Sequence, residues 1–263
     1  MEMRDFVVRF AGEGGQGVVT SAEGLAQAAT QVGYHALTFA TFPSQILGGP
    51  TWTQARIAVD AILSPGDDVD VLVAFNKDAY DEHNSEVRDE GVIIFNSNEF
   101  QLEGDSRGFG LPFDELARST GNNRAANMVI IGALAHLVDM PQRYLEEFVS
   151  KRFTRGRSGD EEIIRSNIEA MTLGRDHISE SGLALGALAA PNPPDFAQIM
   201  LKGNEALALG ALAGGLDFYV GYPISAATTI LIYMERNLVG EGKFAHQVSS
   251  EIESITAILG AGF

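Results

Sequence analysis

Two features in the last quarter of the chain could support chemistry. They are the turn Gly221-Tyr222-Pro223-Ile224-Ser225 and Glu251, which follows Ser225 by 26 residues. Glu251 begins an apolar helical pattern, so its carboxyl group is expected at a helix N-terminus. An acid beside a loop that presents a hydroxyl could exchange a proton with a bound ring and contact a substrate. The same residues are also typical of an ordinary strand-to-helix turn followed by a solvated carboxylate.

The residues around this pair predict a small α/β unit. Helical spacing covers residues 202–215 and 226–238, and short strands are expected at 216–220 and 244–248, before the helix of Glu251. Two strands do not form a stable sheet alone. We therefore expect residues 200–263 to be an incomplete domain, finished by further sequence or by a partner.

Composition separates that unit from the rest of the chain. Residues 179–199 are rich in Ala, Gly and Pro, as is typical of an extended linker. Residues 1–178 then form the first domain. Apolar strand patterns and helical spacings alternate there, which predicts an α/β fold with a parallel, Rossmann-like sheet. The predicted strands are 5–11, 34–40, 54–59, 69–75 and 91–95, and the helices are 18–33, 123–138, 141–150 and 159–173.

A glycine-rich turn follows the first strand. Gly12, Gly14 and Gly17 satisfy the G-x-G-x-x-G pattern of dinucleotide-binding proteins. However, the second strand carries no acid to hold a ribose, and Glu13 would place negative charge inside a phosphate site. Glycines at these positions also allow a sharp turn and close packing of a helix on the sheet. An anion at this helix N-terminus is a further alternative.

Two other segments are candidates for contacts. The punctuated loop 42–56 ends at Arg56, so we group Arg56 with Gly14, Gly15 and Gly17 as a candidate anion or interface loop. Residues 151–157, Lys-Arg-Phe-Thr-Arg-Gly-Arg, are a basic run in an acidic chain. This run is either a solvated loop or a contact for an acidic partner.

The composition excludes several classes of protein. A net charge of −17 argues against nucleic-acid binding. The 263 residues contain no cysteine, so they supply no thiolate nucleophile and no cysteine ligand for an iron–sulfur cluster. The histidines are scattered and predict no metal site. No membrane-length apolar run and no signal peptide is visible, which favours a cytoplasmic protein.

Both halves of the chain together resemble the 2-oxoacid:ferredoxin (acceptor) oxidoreductases, in the form in which a gamma-type domain is fused ahead of the alpha-type domain. Each motif is weak alone, but their order and spacing are specific. The matching segments are Gly-Glu-Gly-Gly-Gln-Gly (12–17), Phe-Pro-Ser…Gly-Gly-Pro…Arg (42–56), Asn-Met-Val…Gly-Ala-Leu (127–134), Asn-Ile-Glu-Ala-Met…Gly (167–174), Gly-Asn-Glu-Ala-Leu-Ala-Leu-Gly-Ala (203–211), Phe-Tyr-Val-Gly-Tyr-Pro-Ile-Ser (218–225) and Gln247…Glu251…Gly260-Ala261.

The resemblance implies oxidative decarboxylation of a 2-oxoacid, of the 2-oxoglutarate or pyruvate class, with coenzyme A. The products would be an acyl-CoA, carbon dioxide and reduced ferredoxin. Thiamine diphosphate (TPP) would lie between subunits of a hetero-oligomer. The alpha-type domain, beginning in residues 200–263, would bind the aminopyrimidine. A beta-type partner would hold the diphosphate, Mg²⁺ and a [4Fe–4S] cluster, from which ferredoxin takes electrons.

The resemblance also implies roles for individual residues. Glu251 matches the catalytic acid that meets the pyrimidine nitrogen of TPP. Ser225 matches a hydroxyl residue that faces the substrate carboxylate. Tyr222 and Pro223 shape the cofactor loop, and Thr228 caps or lines the same turn.

The chain departs from the family pattern at three places. The loop reads Tyr-Pro-Ile-Ser-Ala-Ala instead of Tyr-Pro-Ile-Thr-Pro-Ser, Ser249 and Ser250 replace two acids, and Leu47 stands where a base is frequent. These changes put loop rigidity and the choice of substrate in doubt. Two alternatives therefore stay open: a non-catalytic assembly subunit of such a complex, or a dinucleotide-binding Rossmann protein.

Overall fold

A computed structural model describes residues 2–41, 49–192, 199–224 and 227–263. The chain divides into two compact units, residues 1–196 and residues 197–263. Each unit is described by itself. In the part of the chain that the structure describes, no helix combines the length and apolar character needed to cross a bilayer.

The first unit is built on a six-stranded sheet with the strand order β3-β4-β2-β5-β6-β7. A separate two-stranded parallel pair joins β1 and β8. The strands are β1 (Glu2–Met3), β2 (Asp5–Glu13), β3 (His35–Thr41), β4 (Pro50–Ala58), β5 (Val69–Ala74), β6 (Val87–Asn96), β7 (Gly108–Leu111) and β8 (Ala187–Leu188).

The large sheet is mostly parallel, as predicted, and β4 is the exception. Strands β2, β5, β6 and β7 are parallel to one another, whereas β4 runs antiparallel to both of its neighbours, β2 and β3. The physical reason is the short connection between β3 and β4. A parallel crossover needs a dozen or more residues, so a chain that returns from Thr41 to Pro50 must reverse direction.

Helices cover both faces of this sheet. Alternate residues of β2 and β5 enter a large core under α1 and α4, while their neighbours face a smaller core with α2. The helices of the first unit are α1 (Val18–Val32), α2 (Lys77–His83), α3 (Phe113–Ser119), α4 (Ala126–Leu137), α5 (Gln142–Phe153) and α6 (Asp160–Ser179).

The N-terminus of α4 differs from the sequence prediction. The helix was expected from residue 123, but it begins at Ala126. Asn122 instead accepts a hydrogen bond from the backbone N–H of Arg124 at 3.1 Å and donates Nδ2 to Ser166 Oγ at 3.1 Å. A local side-chain bond and a tertiary contact therefore hold a turn where periodicity alone favours a helix.

Helices α4 and α6 cross at two glycines. A Cβ on Gly132 would lie 1.9 Å from the carbonyl oxygen of Met171, and one on Gly174 would lie 1.9 Å from that of Val129. Such distances leave no room for a methyl group. The two backbones therefore touch directly, and the core under the sheet depends on this approach.

The second unit contains a parallel pair of strands with three helices. Strand β9 pairs with β10 from Phe218↔Phe244 to Gly221↔Gln247. Ala208, Met234 and Leu238 form its small buried core. The elements are α7 (Gly203–Ala213), β9 (Phe218–Gly221), α8 (Thr228–Asn237), β10 (Phe244–Gln247) and α9 (Glu251–Ala261).

A polar cluster joins α2 to the β7 edge of the large sheet. Asp105 accepts hydrogen bonds from Arg107 Nε and Nη2, at 3.0 and 2.8 Å, and from the Tyr80 hydroxyl at 3.1 Å. Arg107 Nη1 also donates to the carbonyl of Val87 at 2.8 Å. The hydrogen bonds from Arg107, above all, lower the pKa of Asp105 to about 2.

The glycine crossing predicts the effect of two substitutions. Gly132→Ala should destabilise the protein by about 1–3 kcal/mol, because the added methyl group pushes α4 away from α6. Gly210→Ala is the matched control, since Gly210 lies within α7 and a Cβ there would have no atom within 4 Å. This control should be neutral or stabilise the protein by up to about 1 kcal/mol. Urea unfolding of both variants is the measurement, and equal stabilities would contradict the direct backbone contact.

The Asp105 cluster predicts a pH-dependent contribution to stability. The pKa of Asp105 is lower in the folded chain than its ordinary 3.8, so the stabilisation is present above about pH 4 and is lost as the pH falls towards 2. Asp105→Asn should therefore lower the free energy of unfolding by about 1–2 kcal/mol at pH 7. Wild type and variant should converge near pH 2 in urea unfolding. A difference that stays constant with pH would contradict this assignment.

Candidate functional site

The structure places the Tyr222 turn and the helix of Glu251 at the same end of the β9–β10 pair. Strands β9 and β10 are parallel, with Gly221 aligned to Gln247, and the backbone N–H of Val248 donates to the carbonyl of Gly221 at 3.0 Å. The turn follows the carboxyl end of β9, and α9 follows the carboxyl end of β10. Because the strands are parallel, these two ends lie side by side. Tyr222 is half-buried and Pro223 is exposed. Ser225 lies outside the described residues.

Glu251 is the first residue of α9, as the sequence predicted, and its side chain is exposed. Within the described residues its carboxylate forms no ion pair or hydrogen bond. The neighbouring acid, Glu253, is engaged instead. Its Oε2 accepts hydrogen bonds from the backbone N–H and the hydroxyl of Ser249, at 2.8 and 2.6 Å. Those bonds lower the pKa of Glu253.

Ser249 and Ser250, the serine pair before Glu251, have a local structural role. Ser250 is the N-cap of α9, and its Oγ accepts the backbone N–H of Glu253 at 3.2 Å. Ser249 and Glu253 complete this capped helix start. The helix N-terminus is therefore fixed without using Glu251, whose exposed carboxylate has no partner among the described residues.

Thr228 is tied to the same turn. It is the first residue of α8, and its hydroxyl donates to the carbonyl of Ile224 at 2.7 Å. Ala227, not Thr228, occupies the N-cap position. Thr228 therefore closes the 222–224 turn from the helix side.

The exposed side of α9 is strongly apolar. In the described chain no residue of this helix is buried, and four large apolar side chains are 55–76% exposed: Ile252, Ile255, Ile258 and Leu259. A contiguous apolar surface of this kind marks an interaction site in a soluble protein. The candidate acid therefore stands at the head of a helix whose apolar side this chain's described residues leave uncovered.

The glycine turn of the first unit lies at the carboxyl end of β2. Gly15 and Gly17 have φ of +98° and +91°, a conformation that favours glycine, and Gly17 is the N-cap of α1. Gln16 Oε1 accepts the backbone N–H of Glu13 at 2.7 Å and lies 3.4 Å from Asn76 Nδ2, after β5. A cavity of about 270 Å³ borders this turn and includes Gly14 and Thr51 in its wall.

The turn occupies a topological switch point of the sheet. Helix α1 follows β2 on one face and α2 follows the adjacent β5 on the other. In open α/β sheets, ligands bind in the crevice outside the carboxyl ends of such strands. A smaller cavity of about 170 Å³ lies in that crevice, between Gly12, Asn76 and His83.

Arg56 is not brought to the glycine turn. It is aligned with Val7 in the β2–β4 pair, whereas the glycine turn begins beyond the Glu13↔Pro50 end. Its guanidinium bonds both carboxylate oxygens of Asp5 and the hydroxyl of Ser64. The hydrogen bond to Asp5 raises the pKa of Arg56. The other part of the predicted loop, residues 42–48 with Leu47, lies outside the described residues.

The sequence analysis missed a buried polar cluster on the β2–β4 face. Arg9 is 5% exposed, donates to Gln54 Oε1 at 2.8 Å, lies 4.4 Å from the Trp52 ring and forms an ion pair with Glu86. His83 Nδ1 lies 3.3 Å from Arg9 Nη1. An arginine inside an otherwise apolar strand was the available signal, since a buried charge requires partners.

Comparison with known proteins identifies the family. The model of the pyruvate ferredoxin/flavodoxin oxidoreductase family matches residues 7–177. The ketoisovalerate oxidoreductase subunit VorA of Methanothermobacter marburgensis is 32% identical over 180 residues, covering 66% of this chain and 37% of the relative. The part of this relative that the chain matches is thus well under half of its length.

Two solved structures extend this comparison. A 2-oxoglutarate:ferredoxin oxidoreductase from Magnetococcus marinus, solved with 2-oxoglutarate, coenzyme A and succinyl-CoA bound, is 31% identical with a TM-score of 0.85. The match covers 99% of this chain and 46% of that one. The gamma subunit of a keto/oxoacid ferredoxin oxidoreductase from Geobacter sulfurreducens shares the fold, with a TM-score of 0.58 at 21% identity.

The Geobacter gamma subunit is matched over 98% of its length by 68% of this chain. The Magnetococcus protein is matched over 46% of its length by 99% of this chain. This coverage is that of a gamma-type region fused ahead of an alpha-type region. With the family model matching 7–177, the chain belongs to the pyruvate ferredoxin/flavodoxin oxidoreductase family.

Proposed function

We propose that this chain is a subunit of a TPP-dependent 2-oxoacid:ferredoxin oxidoreductase in the cytoplasm. The reaction converts a 2-oxoacid anion, coenzyme A and two oxidised ferredoxins into an acyl-CoA, carbon dioxide, two reduced ferredoxins and a proton. One observation carries the proposal: Glu251, whose carboxylate has no partner among the described residues, starts the helix after β10, and the 221–224 turn leaves the adjacent end of β9. The family membership supplies the reaction class. The ligands of the Magnetococcus relative favour 2-oxoglutarate as the first substrate to test, with pyruvate as the second.

The residues at this edge fit the aminopyrimidine side of TPP. When bound, TPP supplies the carbanion that attacks the 2-oxo carbon and accepts the electrons released by decarboxylation. Glu251 would hydrogen-bond the pyrimidine ring nitrogen and exchange a proton there. Its first-turn position leaves the carboxylate free for this role, because Ser250 and Glu253 already satisfy the helix start.

The turn would position the ring and the substrate. Tyr222 and Pro223 would shape the loop against the cofactor, and Thr228 would hold it through its bond to Ile224. Ser225 would face the carboxylate of the 2-oxoacid through its hydroxyl. A serine leaves more space than the family's threonine, so a change in preferred substrate is expected at this position.

A beta-type partner would complete the site. It would hold the diphosphate of TPP and Mg²⁺. It would also hold the [4Fe–4S] cluster, since these 263 residues contain no cysteine to ligate one. Electrons would pass to ferredoxin through that partner. The exposed apolar side of α9 supports this arrangement, because a helix of this kind gains stability when another protein surface covers it.

We assign residues 1–178 to the gamma-type domain, 179–199 to the linker and 200–263 to the alpha-type domain. Gly14, Gly15 and Gly17 stay the candidate anion or interface loop, supported by the N-terminus of α1 and the switch-point crevice. We expect Arg56 to stabilise the sheet through Asp5, rather than to act in that loop.

The role of Glu251 predicts the outcome of its substitution. Glu251→Gln should lower 2-oxoacid-dependent reduction of a viologen dye at least ~100-fold in the complex assembled with the beta-type partner, because the amide cannot exchange the proton. Co-purification of the partner should be unchanged. Glu241→Gln is the matched control: it removes an exposed carboxylate of the same unit, before β10, and should keep full activity.

Three outcomes are distinguishable. Wild-type-like turnover by Glu251→Gln would remove the proposed mechanism. A complex that assembles but reduces no dye with any 2-oxoacid, even with wild-type chain, would favour the non-catalytic assembly subunit. Stoichiometric binding of NAD(H) or FAD would favour the dinucleotide-binding alternative.

A further inference from the structure

A further cavity of the first unit shares no lining residue with the two cavities described above. It has a volume of about 440 Å³ and lies between the α3–α4 loop, residues 120–125, and the α5–α6 loop, residues 154–159. Arg124 and Arg155 are part of its wall, and the buried polar residues Thr120, Ser166 and Asn167 also line it. Its volume lies within the range of about 300–1,000 Å³ that is typical of small-molecule sites.

Both loops at its border are held in place by side chains. Asn122 Nδ2 donates to Ser166 Oγ at 3.1 Å, which ties the first loop to α6. Asp160 is the first residue of α6, and its Oδ2 accepts the backbone N–H groups of Arg155 at 2.6 Å and Arg157 at 3.0 Å. A ligand would therefore meet loops that are already ordered, which lowers the entropic cost of binding.

The charge around this cavity is opposite to that of the chain. The sequence has 35 acidic and 18 basic residues, yet both loops and the helix turns beside them are rich in arginine. Among the described residues, these arginines form no ion pair with a carboxylate: Arg118, Arg124, Arg152, Arg155 and Arg157. Glu162, the acid in the cavity wall, is bonded by Arg165 at 2.5 Å. The wall residues therefore carry a net positive charge, and the nearby Asp160 carboxylate is held by backbone N–H groups of the same loop.

We propose that this cavity binds the phosphate group of a small molecule, with Arg124 and Arg155 as its two cationic contacts. A guanidinium offers a planar pair of donors that fits two phosphate oxygens, and two guanidiniums can share one di- or monophosphate. Phe153 and Ile163, also in the wall, provide apolar surface for the organic part of the ligand. The inference does not depend on the proposed function, because none of these residues lies in the second unit or in the glycine turn.

Binding of inorganic pyrophosphate to the full chain, measured by isothermal titration calorimetry, tests this assignment. The double variant Arg124→Gln/Arg155→Gln should bind at least ~10-fold more weakly, because two charge-assisted contacts are lost. Arg143→Gln is the matched control. It removes the same charge from an exposed residue near the opposite end of α5 and should bind like wild type.

Three results would each overturn the proposal. The first is no saturable binding of millimolar pyrophosphate to wild type. The others are an unchanged affinity in the double variant and an equal loss of affinity in Arg143→Gln. If the double variant does lose binding, displacement of pyrophosphate from wild type by coenzyme A assigns the site to that nucleotide. Absence of displacement then assigns it to a different phosphate ester, and the site stands in both cases.

Discussion

Parallel strand pairing is the constraint on which both candidate regions depend. In a parallel pair the carboxyl ends of neighbouring strands meet at one edge, so residues far apart in sequence leave the sheet side by side. In the first unit this brings the glycine turn after β2 next to Asn76 after β5. In the second it brings the Tyr222 turn after β9 next to the helix of Glu251 after β10. The same geometry thus places each pair of segments side by side.

Much of the fold could be predicted because apolar periodicity reports directly on burial. Strands β2 and β5 read as apolar runs, each with one buried charge inside it, Arg9 and Asp70, and are buried on both faces, as parallel strands require. The direction of β4 could not be read in this way, because it depends on the length of a connection rather than on the strand itself. Short helices such as α2 and α3 were missed, since seven residues give too few turns for a periodic pattern.

The candidate site was predictable to a similar degree. The position of Glu251 follows from local signals, a serine pair followed by an apolar helix, and the structure places it at the first residue of α9. What the serines do could not be predicted, because it depends on Glu253 folding back onto Ser249. Arg56 was grouped with the glycine turn through its sequence position, yet strand register places it with Asp5. Register is a tertiary property, so sequence spacing within a loop does not reveal it.

The α9 surface and the arginine-lined cavity differ in the kind of partner that they suit. The acid at the head of α9 adjoins an uncovered apolar helix side, which fits a site completed by another protein surface. The arginine-lined cavity instead has ordered polar walls and a local positive charge, which fits a small anion. The overall charge of −17 does not reveal the positive charge of the cavity wall, because it is a sum over the whole chain.

The most direct test of the central claim is an experimental structure of the chain assembled with its beta-type partner and TPP. We predict that a carboxylate oxygen of Glu251 lies within hydrogen-bonding distance, about 2.6–3.2 Å, of the pyrimidine ring nitrogen of the cofactor. The Tyr222 turn should then border the same ring. A Glu251 side chain that stays in bulk solvent in that assembly, away from the cofactor, would contradict the account.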